Sequence, residues 1–227
     1  MGAVVFYSNT GQSKAIAEYF SEQLGYHLID IESCAENNFD SLVLVFPVLC
    51  QNIPEIVIEF LKKIGVTYLT VIATYGKMCP GNVLYEIQQI YKHNIVAGAY
   101  IPTKHAYIEN DEAFYDFDRL TPIVEKVKNP ATVKLPRLFK NPLADISPSG
   151  RSRLGLKLYK TEACDGCNLC GRSCSFNAIN SGATTPDCNR CLRCVCICPH
   201  NALKYKLRIP LKLYLRKKKK DKIIIYV

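Results

Sequence analysis

The fold is decided near the amino terminus, where residues 3–13 read Ala3-Val4-Val5-Phe6-Tyr7-Ser8-Asn9-Thr10-Gly11-Gln12-Ser13. The apolar run at the start predicts a strand that is buried on both faces, as strands of parallel sheets are. Apolar residues at helical spacing follow within 13–24, so residues 8–13 form a loop between a strand and a helix. Gly11 permits a tight turn, and the loop hydroxyls together with the free N–H groups of the helix start predict an anion site.

The alternation of strands and helices continues to about residue 128. Strands are predicted at 27–31, 42–46, 68–73 and 95–101, and helices at about 54–63, 82–92 and 111–128. Five strands joined by helices predict an α/β fold with a parallel sheet covered on both faces. Ligands of such sheets bind beyond the carboxyl ends of the strands, which singles out loops 8–13, 47–53 and 75–82.

Loop 8–13 contains no lysine or arginine, so neutral donors would hold a phosphate monoester there. This loop also lacks the Gly-Lys pair that nucleoside-triphosphate loops contain. A serine or threonine helix cap, without any ligand, is the alternative interpretation. No Gly-x-Gly-x-x-Gly follows a predicted strand, which disfavours direct use of a nicotinamide cofactor.

The same loop resembles the first loop of flavodoxins, Ser/Thr-x-Thr-Gly-x-Ser/Thr, which holds the phosphate of FMN. The resemblance spans about residues 2–128 and implies a doubly wound sheet of order 2-1-3-4-5. It implies FMN contacts from three loops. The phosphate would be bound by Ser8, Asn9, Thr10, Gly11, Gln12 and Ser13 of the first loop. The flavin ring would be contacted by Pro47, Val48, Leu49 and Cys50 of the second loop and by Tyr75, Gly76 and Lys77 of the third. Tyr75 would cover one ring face, whereas Leu49 stands where related sequences usually have an aromatic residue. Cys50 and Cys79 are interpreted as small, half-buried residues rather than catalytic ones.

Charge and cysteines divide the chain into two parts. Residues 1–130 carry 9 Lys+Arg and 15 Asp+Glu, a net charge of −6, whereas residues 131–227 carry 20 and 5, a net charge of +15. Nine of the 12 cysteines lie between Cys164 and Cys198. Prolines at 130, 136, 142 and 148 separate the two parts. We therefore predict a domain at 1–129, a Pro-rich connector at 130–158, a second domain at 159–210 and a basic tail at 211–227.

The second part contains a duplicated cysteine motif. The spacing C-x₂-C-x₂-C-x₃-C begins at Cys164 and recurs from Cys188. Three thiolates in one tight loop can occupy three corners of an iron–sulfur cube, and the fourth ligand must come from elsewhere. A pair of four-cysteine zinc sites is the alternative, although zinc modules usually separate their cysteine pairs by a dozen or more residues.

The segment closely resembles bacterial two-cluster ferredoxins, in which the fourth cysteine of each motif ligates the other cluster. The resemblance implies two [4Fe–4S] clusters with crossed ligand sets: Cys164, Cys167, Cys170 and Cys198 for one, and Cys188, Cys191, Cys194 and Cys174 for the other. Ser175 replaces the proline that usually follows the first motif, and Cys196 is surplus. Both parts together resemble the flavodoxin–ferredoxin fusion proteins of anaerobes.

The tail carries an alternating run, 211–215, that predicts a strand, followed by the basic run 216–220. The basic run would steer an acidic partner, an anionic membrane or nucleic acid, or would be a solvated tail. No aromatic–basic platform supports specific nucleic-acid recognition.

The leading hypothesis is an electron-transfer iron–sulfur flavoprotein with a redox partner protein, acidic in charge. The alternatives are an FMN-dependent reductase of a small molecule such as a quinone, fed by the clusters, and a redox or iron sensor. No apolar run approaches the roughly 18 residues of a membrane span and no signal peptide is recognised, so a cytoplasmic location is expected. The oligomeric state, a homodimer included, stays open.

Overall fold

The computed structural model describes residues 2–91, 94–108, 110–217 and 219–227. Its strands are, in chain order, β1 (Gly2–Phe6), β2 (His27–Asp30), β3 (Asn38–Pro47), β4 (Gly65–Tyr75), β5 (Asn94–Pro102), β6 (Leu156–Lys160), β7 (Ile179–Asn180), β8 (Ala183–Thr184), β9 (Leu203–Leu207) and β10 (Ile224–Tyr226). Its α-helices are α1 (Gln12–Leu24), α2 (Glu55–Lys63), α3 (Val83–Ile90), α4 (Thr121–Lys128), α5 (Pro148–Gly155), α6 (Leu169–Arg172), α7 (Arg193–Cys196) and α8 (Ile209–Leu215). None of the helices in these ranges combines the length and the apolar composition that crossing a membrane requires.

The chain forms two compact units. The first comprises Met1–Asn141 together with Lys219–Val227, and the second comprises Pro142–Lys218. The predicted connector 130–158 therefore contributes to both units, and the predicted tail 211–227 is divided between them.

The first unit is a six-stranded sheet of order β2-β1-β3-β4-β5-β10. Strands β1 to β5 are parallel, whereas β10 runs antiparallel to β5, with Ile224 opposite Tyr100. Alternate residues of β1 enter two different cores, since Val5 packs with α2 and α3 and Val4 packs with α1 and α4. A mostly parallel sheet with helices on both faces is thus confirmed.

Three predicted elements are wrong in detail. The sheet has six strands rather than five, because the apolar residues after the basic run form β10. The run 211–215 is helical within α8, whose first turn contains Pro210, a residue suited to helix starts. The helix predicted at 111–128 is shortened to α4, preceded by a 3₁₀ turn at Phe117–Leu120. Lys92, the end of the helix predicted at 82–92, lies outside the described residues.

The second unit is built from short elements around the cysteine motifs. β6 pairs antiparallel with β9, and the two-residue strands β7 and β8 pair antiparallel with each other. The single-turn helices α6 and α7 occupy equivalent positions in the two motifs. Leu211 of α8 packs against Gly155 at the end of α5, where an added Cβ would lie 3.0 Å from Leu211.

Candidate functional site

Loop 8–13 lies at the carboxyl end of β1, beside the end of β3. Gly11 has a φ of 84° and precedes α1, whose start has no side-chain cap and no acidic residue in its first turn. The first-turn N–H groups of α1 are therefore available to an anion, and the positive end of the helix dipole favours one.

Two side chains of the loop carry buried polar atoms without a protein partner. Ser8 Oγ and both polar side-chain atoms of Asn9 make no hydrogen bond among the described residues. Leaving buried polar atoms unpaired costs free energy, so a bound polar group would stabilise these side chains. A phosphate monoester, which needs several neutral donors in one place, fits this arrangement.

The Ser13 side chain has a partner within the protein. Its hydroxyl is buried and lies 2.9 Å from Thr74 Oγ1, near the end of β4. This contact ties the start of α1 to the strand that carries loop 75–82.

Loop 47–53 forms a two-residue turn. Leu49 and Asn52 exchange both backbone hydrogen bonds, at 3.1 and 2.9 Å, around Cys50 and Gln51. These two residues have φ values of 52° and 70°, a conformation that normally selects glycine or asparagine. Because neither is glycine or asparagine, the turn stores backbone strain, and no signal in the sequence predicted it. Cys50 is exposed, so the expectation of a half-buried residue was wrong for it.

Tyr75 does not present a ring face to a ligand, which corrects its expected role. The side chain belongs to the buried core and is 3% exposed. Its hydroxyl lies 2.9 Å from the Lys220 carbonyl oxygen and 2.7 Å from that of Lys222. Burial raises the pKa of Tyr75 to about 12, so the hydroxyl stays protonated and donates to the carboxyl-terminal segment.

Loop 75–82 is held by a buried carboxylate that the sequence did not reveal. Asp111 accepts hydrogen bonds from Lys77 Nζ at 3.1 Å, Lys219 Nζ at 2.7 Å and the His105 backbone N–H at 2.8 Å. Burial alone would raise the pKa of Asp111, but these donors lower it to about 2. Burial also lowers the pKa of His105 to about 4, so this imidazole is neutral at pH 7.

The resulting contacts fix the shape of the loop. Gly76 packs against the His105 ring, since an added Cβ would lie 2.7 Å from it. Lys77 has a φ of 55°, and its carbonyl oxygen accepts a hydrogen bond from Lys220 N–H at 2.6 Å. Residues 219–222 therefore lie along loop 75–82. The basic run 216–220 is not a free tail at Lys219, and Lys218 lies outside the described residues.

The two cysteine motifs of the second unit have the same backbone conformation at corresponding positions. Positive φ values recur in pairs: Gly166 and Arg190, Asn168 and Leu192, Asn177 and Asn201. The cysteine N–H groups are held alike, since Cys167 N–H donates to Asp165 Oδ1 at 3.0 Å and Cys191 N–H donates to Asn189 Oδ1 at 3.1 Å.

The repeat also crosses over. Thr161 N–H donates to the Ala202 carbonyl at 2.8 Å and Thr185 N–H donates to the Ala178 carbonyl at 3.0 Å. Each crossing hydrogen bond brings the start of one motif to the region after the last cysteine of the other. The crossed ligand sets would require the two motifs to be interleaved in this way.

One predicted ligand set is brought together around a single cavity. Cys188, Cys191 and Cys194 of the second motif and Cys174 of the first all line it. Burial, together with neighbouring cysteine thiolates, raises the pKa of Cys191 to about 11 and that of Cys194 to about 12. Four cysteines that line one cavity are the donor set an iron–sulfur cluster would need, and the charge of a cluster would favour the thiolate form.

The other set is joined less directly. His200, two residues after Cys198, lies 3.1 Å from Asp165 Oδ2, next to Cys164 and Cys167.

Within the described ranges, no three His, Cys, Asp or Glu side chains are placed to hold a single metal ion. Both ligand sets remain predictions.

Two arginines donate hydrogen bonds within and between the two motifs. Arg172 Nη1 donates to the Cys167 carbonyl at 2.8 Å, within the first motif. Arg193 Nη1 donates to Ser175 Oγ at 2.7 Å, from the second motif to the residue after Cys174. Ser175 therefore contributes a contact that proline could not make.

Comparison with known proteins adds little. No protein-family model matches the chain, and no curated protein matches it. Among solved structures, a chain from Bacteroides uniformis ATCC 8492, provisionally named a flavoprotein, is 16% identical with a TM-score of 0.39. The match covers 46% of this chain and 94% of that chain, and a TM-score this low carries no inference about fold or ligand.

Proposed function

We propose that this protein is an electron-transfer iron–sulfur flavoprotein, with FMN in its first unit and two [4Fe–4S] clusters in its second. The observation that carries the proposal is the convergence of Cys174 with Cys188, Cys191 and Cys194 around one cavity. The crossed backbone repeat supports it, because the crossed ligand sets need that symmetry. When bound, the clusters exchange single electrons and FMN exchanges one or two.

The proposed FMN site rests on the first unit. Its strand order β2-β1-β3-β4-β5 is that of flavodoxins, and the unpaired atoms of Ser8 and Asn9 lie at the corresponding switch point. These side chains and the first-turn N–H groups of α1 would bind the phosphate, and loops 47–53 and 75–82 would flank the flavin ring. The ring contacts come from backbone and from partly buried side chains such as Leu49, since Tyr75 is held in the core.

The proposed partner is an acidic redox protein in the cytoplasm. The stretch 142–218 contains 14 Lys+Arg and 4 Asp+Glu, so this unit would attract acidic surfaces at long range.

Quantification of iron, sulfide and flavin on anaerobically purified protein tests the proposal. We expect about eight irons and one FMN per chain. Zinc in place of iron, or the absence of both iron and flavin, would refute it.

A matched pair of cysteine variants tests the ligand assignment. Cys174→Ser removes a predicted ligand, and the iron content should fall by about half because one cluster of two is lost. Cys196→Ser removes an exposed cysteine outside both sets, and the iron content should not change. Equal iron loss in the two variants would contradict the assignment.

A further inference from the structure

We propose that the second unit contains a binding pocket for an organic anion with an apolar portion, separate from the cavity lined by the four cysteines. The pocket lies beside α5 and has a volume of about 580 Å³. Pockets that bind small organic molecules typically have volumes of roughly 300–1,000 Å³.

The charge of the pocket selects an anion. Five basic side chains line the pocket: Arg151, Arg153, Lys157, Arg190 and Arg208. No acidic side chain of the described residues lines it. Like charges gathered around one cavity repel one another, and a bound anion relieves that repulsion.

Arg151 is fixed in position at the pocket. Its Nη2 donates to the Ala144 carbonyl oxygen at 2.7 Å, which fixes the guanidinium group. The Arg151 guanidinium group is therefore held at the wall of the pocket, where its charge adds to the preference for an anion.

The remaining lining residues select an apolar portion. Leu156 is fully buried at the pocket, whereas Leu143, Ile146 and Leu154 line it and are 57%, 60% and 67% exposed. Exposed apolar side chains grouped at one cavity indicate contact with an apolar ligand. A bare inorganic anion would leave these side chains in water.

The pocket adjoins the proposed second cluster site. Arg190 lies between Cys188 and Cys191 in the chain and lines both this pocket and the cysteine cavity. A bound anion would place negative charge near that site and would favour the more positive, oxidised cluster, so its reduction potential should fall. Only this consequence rests on the proposed function, because binding of the anion does not require the clusters.

Calorimetric titration of the full-length protein tests the pocket, with naphthalene-2-sulfonate as the probe. Sulfate presents the charge without the apolar ring, and naphthalene-2-methanol presents the ring without the charge. We expect naphthalene-2-sulfonate to bind at one site per chain and each of the other compounds to bind at least about tenfold more weakly.

Two double variants with the same change in charge complete the test. Arg153→Gln with Arg208→Gln removes two charges from the pocket and should weaken binding of naphthalene-2-sulfonate about tenfold or more. Lys204→Gln with Lys212→Gln removes two exposed charges outside it and should leave the affinity within about twofold. Equal effects of the two double variants would overturn the proposal, as would sulfate binding as tightly as naphthalene-2-sulfonate, or no binding of the probe at about 1 mM. Iron content measured on the same samples reports separately on the proposed function.

Discussion

Replacement of Asp111 by asparagine should destabilise the first unit by a predictable amount. The Asp111 side chain is 3% exposed and lies between Lys77 and Lys219, whose Nζ atoms approach Oδ1 at 3.1 and 2.7 Å. Asparagine keeps the shape of the side chain but removes its charge. Two partly buried lysines then lose their counter-charge, and the charge-assisted hydrogen bonds become weaker.

The magnitude follows from the pKa of the carboxyl group. Its pKa falls from the ordinary value of 3.8 to about 2, and each pKa unit corresponds to about 1.4 kcal/mol, so the ionised form stabilises the fold by about 2.5 kcal/mol. Because the pKa is lowered on folding, this contribution is complete above pH 3.8 and is lost as the pH falls towards 2.

Hydrogen exchange monitored by mass spectrometry measures the effect. The slowest amides of β4 and β5 report opening of the whole sheet, and at pH 7 they should exchange roughly 60-fold faster in Asp111→Asn than in the wild type. Asp116→Asn is the matched control, since Asp116 pairs with Arg119 at 3.8 Å with both side chains about half exposed. The control should change exchange by no more than about fivefold.

The reasoning fails if the two aspartate variants exchange alike at pH 7. It also fails if the difference between Asp111→Asn and the wild type is as large near pH 2 as at pH 7, because the carboxyl group would then not be the source.

Three further predictions concern the same unit. Gly11→Ala and Gly25→Ala each place a Cβ at a positive φ with no atom nearby. Thermal melting should show that both variants lose about 1 kcal/mol of unfolding free energy. FMN titration should show weaker binding for Gly11→Ala alone. Asn9→Leu should raise the melting temperature of the flavin-free protein by removing unpaired buried polar atoms, and should weaken FMN binding; a lower melting temperature would contradict this. Burial lowers the pKa of His105 from 6.5 to about 4, so on acidification the unfolded chain takes up a proton at this residue before the folded chain does. Stability to urea should therefore fall as the pH drops from 6.5 to 4. His105→Gln should make that fall smaller, although the charges of Asp111 and Lys219 also act on the ring.

Local patterns were sufficient at loop 8–13 and at the cysteine repeat, whereas the alternation at 211–215 wrongly predicted a strand. A strand, a glycine at positive φ and a helix start follow one another at loop 8–13, so the sequence predicted the local structure on which the proposed anion site depends. The cysteine motif that begins at Cys164 recurs from Cys188, and the backbone conformation recurs with it.

Features that depend on distant residues were not predictable in this way. Tyr75 ends a strand that is apolar on both faces, so its pattern did not indicate whether the ring points into the core or towards a ligand. Asp111 gains its role from Lys77 and Lys219, which are 34 and 108 residues away in the chain. The turn at Cys50 and Gln51 adopts a conformation that its residue types disfavour, and Gly81, packed closely against Gln51, holds it from another loop.

The sequence by itself determined that two kinds of structure share the chain, because motif spacing and helix periodicity are properties of short segments. Only the tertiary structure decided that the second unit is inserted into the first. After the second unit, the chain segment Lys219–Val227 again belongs to the first unit, and β10 forms the edge of the sheet beside β5. The apolar run 223–226 is typical of a strand, but an edge strand pairs through backbone N–H and C=O groups that nearly every residue carries, so the run does not indicate which strand it joins. The side-chain contacts of Tyr75 and Asp111 that hold it exist only once the chain has folded.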